Sequence, residues 1–230
     1  MNWVALVVLV VVAYLISSFP SGVVLGRLIK GVDVRKVGSG KTGATNSLRA
    51  LGWQISLLVF LTDMSKGAIS VGLPILLSSF FFKQGGQDNT PWAVLPCGLA
   101  SIIGHNHSFF IRFRGGRGVA TGIGQVLVVS PLTILMTLIL DLPILGISRF
   151  VSLASIIGCV LVDIFLFSNI WLTGLDARYL VWGIAVTLYI ILSHSDNIDR
   201  LLNGTERRLG DKVKPVEPEP VLQADEKIKK

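Results

Sequence analysis

Charge is what this sequence has least of. Asp, Glu, Lys and Arg together make up 15% of its 230 residues, whereas a soluble domain carries roughly 25%. Too few ionised side chains remain to cover a water-facing surface. With 51% hydrophobic residues and a mean hydropathy of +0.68, an ordinary soluble domain and a disordered chain are both excluded. Cysteine is scarce as well. Cys97 and Cys159 fall inside apolar runs, with no spacing suited to a disulfide framework or a zinc site. Neither a G-x-S-x-G elbow nor an acidic metal cluster occurs. The apolar run after Met1-Asn2-Trp3 lacks a preceding basic segment and a small-x-small cleavage site, so it reads as a membrane helix and not as a removed signal. The class left is an integral membrane protein.

Apolar runs lie at about 3–28, 53–82, 92–111, 118–148, 151–170 and 178–193, and a span needs roughly 20 such residues. The run 118–148 is long for one helix and contains Ser130-Pro131, where proline predicts a break into two helices. That makes seven spans. Charge distribution agrees. Arg27, Lys30, Arg35, Lys36, Lys41 and Arg49 face only Asp33 in one connection, Arg112, Arg114 and Arg117 have no acid beside them in another, and Arg200, Arg207 and Arg208 follow the last run. Placing these basic segments in the cytoplasm puts the N-terminus outside and the C-terminus inside. Five spans with a re-entrant segment is the rival count. The net charge of +7 then reflects topology and attraction to anionic headgroups or phosphorylated substrates, and not nucleic acid. Residues 1–210 form one transmembrane domain, and 211–230, alternating in charge and rich in proline, form an expected disordered, dispensable tail.

The polar chemistry gathers in three islands. The first is Gly38-Ser39-Gly40-Lys41-Thr42-Gly43-Ala44-Thr45-Asn46, followed by Arg49. Its glycines let successive N–H groups line an anion-binding concavity, its hydroxyls and amide add neutral donors, and Arg49 supplies a fork for phosphate. A nucleotide P-loop is excluded because Arg35 stands where the first glycine is required. The second island holds Gly104-His105-Asn106-His107 and then Gly115-Gly116-Arg117-Gly118, just before an apolar helix that begins near Val119. A helix N-terminus attracts anions, and Arg117 strengthens that site. His107 fits a hydrogen-bonded structural histidine; for His105 a structural and a ligand-facing role fit equally. The third island, His194 to Glu206, follows the last run, with His194, Asn197 and Leu201 spaced to share a helix face.

Asp63 and Lys66, three apart inside the second run, are close enough to pair, either to brace the site or to act in it. Ser152 and Ser155 beside Arg149 offer hydroxyls or small-residue packing. Asp141 and Asp163 stand alone in apolar sequence and have no assigned role. His194 and Asp199 form H-x-x-x-x-D, but five helical positions place them about 140° apart, so that match carries no weight. Two cationic glycine-rich loops at one interface suggest an enzyme holding two anionic groups together. An anion or phosphate-ester carrier, the alternative, needs polar residues continuing through the bilayer.

The blocks G-S-G-x-x-G-A-T-N-x-x-R at 38–49, G-H and F-x-G-G-R-G-V-A-T within 104–121, D-x-x-K-G at 63–67, S-L-A-S at 152–155 and H-x-x-N-I-x-R-L-L-x-G-T-E at 194–206 closely resemble the bacterial membrane-integral acyl-phosphate–glycerol-3-phosphate acyltransferases. The resemblance runs to about residue 210. It implies a seven-helix transmembrane bundle in the bacterial cytoplasmic membrane, with a cytoplasmic site and no cofactor or metal. The implied reaction moves a fatty acyl group from acyl phosphate to the 1-hydroxyl of glycerol 3-phosphate. Membrane lipid and the soluble enzyme that makes acyl phosphate are implied partners. Carried over by position, Ser39, His194 and Asn197 are implied in catalysis. Gly38, Gly40, Thr42, Gly43, Thr45, Asn46, Arg49, His105, Gly115, Gly116, Arg117 and Ser152 are implied in substrate binding, and Asp63, Lys66 and Glu206 in support. The sequence departs from the family in having Arg117 for lysine, Lys41 for asparagine, Ser193 for a basic residue, and His107-Ser108 for an aromatic-proline pair. An arginine at 117 offers phosphate a fork instead of a point charge.

Overall fold

The computed structural model describes residues 1–211; of the expected tail at 211–230, all but Asp211 lies outside them. Eleven α-helices follow one another among the described residues: α1 Trp3–Ser18, α2 Ser21–Lys30, α3 Ala44–Leu51, α4 Trp53–Leu76, α5 Ser78–Phe81, α6 Thr90–Asn106, α7 Val119–Val129, α8 Pro131–Ser148, α9 Val151–Thr173, α10 Arg178–Leu192 and α11 Ser195–Leu202. The chain is helical apart from short connections and one two-residue hairpin, Lys83–Gln84 paired antiparallel with Gln87–Asp88, which the apolar pattern did not signal.

The apolar runs become helices because only an internally hydrogen-bonded backbone is stable in lipid. Trp3–Lys30, Trp53–Leu76, Pro131–Ser148 and Val151–Thr173 are long and apolar enough to cross a membrane; Arg178–Leu192 with Ser195–Leu202 adds a fifth if that pair, bent by 60°, counts as one. Helices α6, α7 and α10 are shorter. The run 53–82 is cut at Leu76, behind Pro74, and Phe82 tucks fully buried beyond it. Ser130-Pro131 separates α7 from α8, as expected from a proline that cannot continue the hydrogen-bond ladder.

Close packing follows from small residues. A Cβ on Gly67 of α4 would overlap the Thr121 carbonyl of α7, and one on Gly124 of α7 would overlap the Met64 carbonyl of α4. Each helix thus lays its backbone on the other, the usual means of association in lipid. Gly104 likewise brings α6 onto the Tyr14 carbonyl of α1, which a Cβ would approach to 2.4 Å. Hydroxyls tie the same helices: Ser17 Oγ lies 2.7 Å from Ser101 Oγ and 3.4 Å from Ser70 Oγ. In the second half, Trp182 is fully buried and its indole N–H donates to Gln125 Oε1 at 3.3 Å, while Gln125 donates to the Gly98 carbonyl at 3.0 Å.

Deep within this packing, Asp63 Oδ1 accepts from Lys66 Nζ at 2.6 Å and from the Ser21 hydroxyl at 2.5 Å, and Lys66 also donates to the Phe19 carbonyl at 2.5 Å. The i,i+3 pair expected from sequence therefore clasps the α1–α2 break onto α4.

Gly124→Leu drives a branched side chain into the Met64 carbonyl; it is expected to destabilise the protein by about 3 kcal/mol, seen as a lowered thermal midpoint in detergent.

Candidate active site

The first island is a loop held by one side chain. Gly38 and Gly40 take left-handed backbone (φ 59° and 70°), which favours glycine. Inside the turn, Asn46 Nδ2 donates to the carbonyls of Val34, Val37 and Lys41 at 2.8, 3.0 and 2.8 Å, while its Oδ1 accepts from the Ser39 N–H at 3.0 Å. Asn46, expected in substrate contact, thus has both ends of its amide engaged with the loop. The loop delivers Gly43 as the N-cap of α3, with no side-chain cap on the helix.

The second island is positioned by contact with α6. A Cβ on Gly115 would overlap the His105 and Asn106 carbonyls, and one on Gly116 would overlap the His105 ring. His105 is buried, with Nδ1 3.7 Å from Asp63 Oδ1, so it lies directly over the ionic clasp. His107 lies apart, its Nδ1 3.1 Å from the Tyr189 hydroxyl, in the structural manner expected of it. Gly118, at φ 84°, caps α7, again without a side-chain partner. Arg117 donates to both carboxylate oxygens of Asp196 at 2.9 and 2.7 Å and to the Ser193 carbonyl at 3.2 Å. Burial opposes charge on Asp196, but the Arg117 and Arg200 guanidinium groups prevail and hold its carboxyl below the usual range.

The third island folds back on itself. Gly204 (φ 68°) ends α11, and the Thr205 N–H returns to the Arg200 carbonyl at 2.8 Å, a helix stop of the glycine type. The reversal buries Glu206, which accepts from Ser152 Oγ at 3.0 Å, Asn197 Nδ2 at 2.8 Å and Arg200 Nε at 2.7 Å. Asn197 Oδ1 is left buried without a partner. His194 is buried, and its Nδ1 lies 2.8 Å from the Ile190 carbonyl. A carbonyl only accepts, so Nδ1 carries the proton and Nε2 is the basic nitrogen. Burial pushes this imidazole below the ordinary histidine range, against the opposing pull of the Ile190 carbonyl.

All three islands open on one cavity of about 380 Å³. Ser39, Gly43, Thr45, Asn46, Arg49, Asp63, His105, Gly116, Arg117, Ser152, His194, Asn197 and Glu206 line it. Gly38, Gly40, Thr42, Gly115 and Lys66 are not in its wall. Lys41, Arg200 and Arg207 line it too; from sequence Lys41 belongs to the first island and departs from the family, while Arg200 and Arg207 count only toward topology. The one available signal was their place within or beside the two motif blocks. Burial and the neighbouring Arg207 push the Arg49 guanidinium below its ordinary range, a tension an added anion relieves. The first turns of α3, α7 and α9 all reach the cavity, through Ala44, Val119 and Val151, and none carries a side-chain cap. Three positive helix ends and five cationic side chains therefore converge where anions can bind. From this mouth the cavity continues as an apolar slot between α7, α8, α9 and α10, past Leu138, Leu142, Val162 and Val186 to Trp182.

The family described as glycerol-3-phosphate acyltransferase matches residues 7–204. Glycerol-3-phosphate acyltransferase of Crocosphaera subtropica is 39% identical over 89% of this chain and 94% of its own; that of Thermus thermophilus is 40% identical over 87% and 94%. A crystal structure of PlsY, an integral membrane glycerol 3-phosphate acyltransferase in its glycerol 3-phosphate form, superposes with a TM-score of 0.77 at 40% identity, covering 90% of this chain and 96% of that one. A second, in its lysophosphatidic acid form, gives a TM-score of 0.75 at 39% identity, covering 89% and 95%.

Asn46→Asp replaces an amide whose two N–H groups reach three carbonyls by a carboxylate that cannot donate. It is expected to cost about 2 kcal/mol and to speed amide exchange across residues 38–43, checked by thermal unfolding and hydrogen-exchange mass spectrometry.

Proposed function

The chain belongs to the glycerol-3-phosphate acyltransferase family, and from that membership and the cavity we propose that it transfers an acyl group from acyl phosphate to the 1-hydroxyl of glycerol 3-phosphate. The observation that carries this reading is the junction of a strongly cationic mouth with an apolar slot. One acyl phosphate fits such a junction, its chain in the slot and its head at the mouth. A second anion, glycerol 3-phosphate, requires a further set of donors, and the mouth has them.

The uncapped start of α3, with Ser39 and Thr45, holds the acyl-phosphate head. Arg49, Arg207 and Arg117 divide the two phosphate charges, and Arg117 exchanges its bond to Asp196 for one to phosphate. Ser152 and Asn197, oriented by Glu206, hold the glycerol part, with the unpartnered Asn197 Oδ1 accepting from a hydroxyl. His194 Nε2 accepts from the attacking 1-hydroxyl. The oxygen adds to the acyl carbonyl, the carbonyl–phosphate bond breaks, and the released proton ends on the departing phosphate. The products are lysophosphatidic acid and inorganic phosphate. Acyl phosphate is a mixed anhydride with a good leaving group, so no protein nucleophile is required. Holding the two reactants together and neutralising their charge supplies the acceleration.

The same reading puts the mouth on the cytoplasmic face of the bacterial inner membrane, supported by Arg27, Lys30, Lys36, Arg112 and Arg114 in the segments that carry the first two islands. The hairpin end is supported as exterior by its balanced Lys83, Asp88, Asp176 and Arg178. Seven passes, with α1–α2, α4, α6, α7, α8, α9 and α10 in turn, take the chain from an outer N-terminus to an inner C-terminus.

Purified protein given glycerol 3-phosphate with acyl phosphate, acyl-CoA or acyl carrier protein in turn is expected to turn over only the first, with stoichiometric phosphate release; turnover of a thioester would overturn the donor. Because His194 must be neutral to accept a proton, and its pKa lies below the ordinary 6.5, activity is expected to hold down to a pH below that value and to fall as the pH drops through the lowered pKa. His194→Gln removes that acid limb and lowers kcat, measured from pH profiles at saturating acyl phosphate.

A further inference from the structure

The apolar slot contains one carboxyl group that the transfer reaction does not use, beside the hydroxyls of Thr137, Ser155 and Thr187. Asp141 of α8 lies in its wall, among Leu138, Leu142 and Leu145. Across the helix interface it meets Gly158 of α9, where a Cβ would come 3.2 Å from the carboxyl. The missing side chain at 158 makes room for the carboxyl at a level where the slot is otherwise lined mainly by aliphatic groups. Asp141 Oδ1 is buried and has no hydrogen-bond partner among the described residues. Asp163 of α9 has a similar seat against Gly183 of α10, but it does not line the slot. Among the described residues of the slot, the Thr137, Ser155 and Thr187 hydroxyls already donate to the Thr133, Val151 and Cys159 carbonyls, whereas the Asp141 carboxyl has an oxygen with no partner.

A buried acceptor or donor without a partner is unfavourable. While the slot is empty of substrate, water can reach the carboxyl from the mouth. An unsubstituted alkyl chain expels that water and replaces it with nothing that can hydrogen-bond. A chain carrying a hydroxyl at the right height restores the bond. A hydroxyl both donates and accepts, so it satisfies the carboxyl in either protonation state. We propose that Asp141 is a hydrogen-bonding station for a hydroxyl within the acyl chain, so that the slot discriminates hydroxyacyl from unsubstituted acyl phosphates by the position of that hydroxyl. The proposal rests on the slot being the acyl site. Gly158 lies six residues along α9 from Ser152 at the mouth, about 9 Å at the helical rise, which places the preferred hydroxyl in the interior of the chain and not beside the carbonyl.

The test uses the full-length protein with acyl phosphates of one length whose hydroxyl is walked along the chain, each compared with the unsubstituted chain at fixed glycerol 3-phosphate. One interior position is expected to raise kcat/KM by about fivefold. Asp141→Leu is expected to bring the hydroxylated-to-plain ratio to about one at every position, and Asp141→Asn, which still hydrogen-bonds, to keep the peak. A flat profile in the native protein overturns the proposal without recourse to any variant, as does a peak that survives Asp141→Leu. No turnover of the unsubstituted acyl phosphate removes the acyl site itself, and the station with it, and is told apart from a flat profile by that control.

Discussion

The ionic clasp of Asp63 with Lys66 is the interaction on which the rest of the architecture depends. Both charges are buried; they hold each other and share the Ser21 hydroxyl, the Phe19 carbonyl and ring receive Lys66, and His105 stands at greater distance from Asp63. Removing one member of such a pair costs about 3–5 kcal/mol, because the survivor is left uncompensated. Its value here is positional. It joins the α1–α2 break, α4 and the end of α6 at one depth, and the glycine stretch before α7 rests on the His105 ring above it. The start of α7 is thereby delivered beside the loop that opens α3.

A membrane enzyme for charged substrates must concentrate positive potential without stranding cations in lipid. This chain does so largely with peptide groups. Three helix ends carry no side-chain partner and meet the same cavity, and their fields add to those of the guanidinium groups. The arginines are in turn restrained by acids: Arg117 by Asp196, and Arg200 by Asp196 and Glu206. The pairs keep cationic side chains extended in one place before substrate arrives, so less ordering remains when an anion binds.

Much of the fold could be read from the amino-acid order. Apolar runs, the break at Ser130-Pro131 and the i,i+3 spacing of Asp63 and Lys66 are local properties, and local physics decides them. The three polar islands were also visible, because glycine, small hydroxyls and cations rarely cluster without cause. What sequence left open depends on distant partners. The three carbonyls that engage Asn46 come from positions 34, 37 and 41, so nothing in its own neighbourhood separates a loop pin from a ligand contact. Arg207 looks like a topology charge until Gly204 reverses the chain and turns it inward. Asp141 is mute in sequence because its significance comes from the absence of a side chain at Gly158. The hairpin at 83–88 was hidden by its brevity.

The reversal at Gly204 has a temporal consequence. The wall containing His194, Asn197, Arg200 and Glu206 is translated after every membrane helix, and chains fold as they emerge from the ribosome. A nascent polypeptide can therefore insert and pack α1 to α10 while its reaction chamber is still open on one side. The cavity wall is complete only after the final helix has left the exit tunnel.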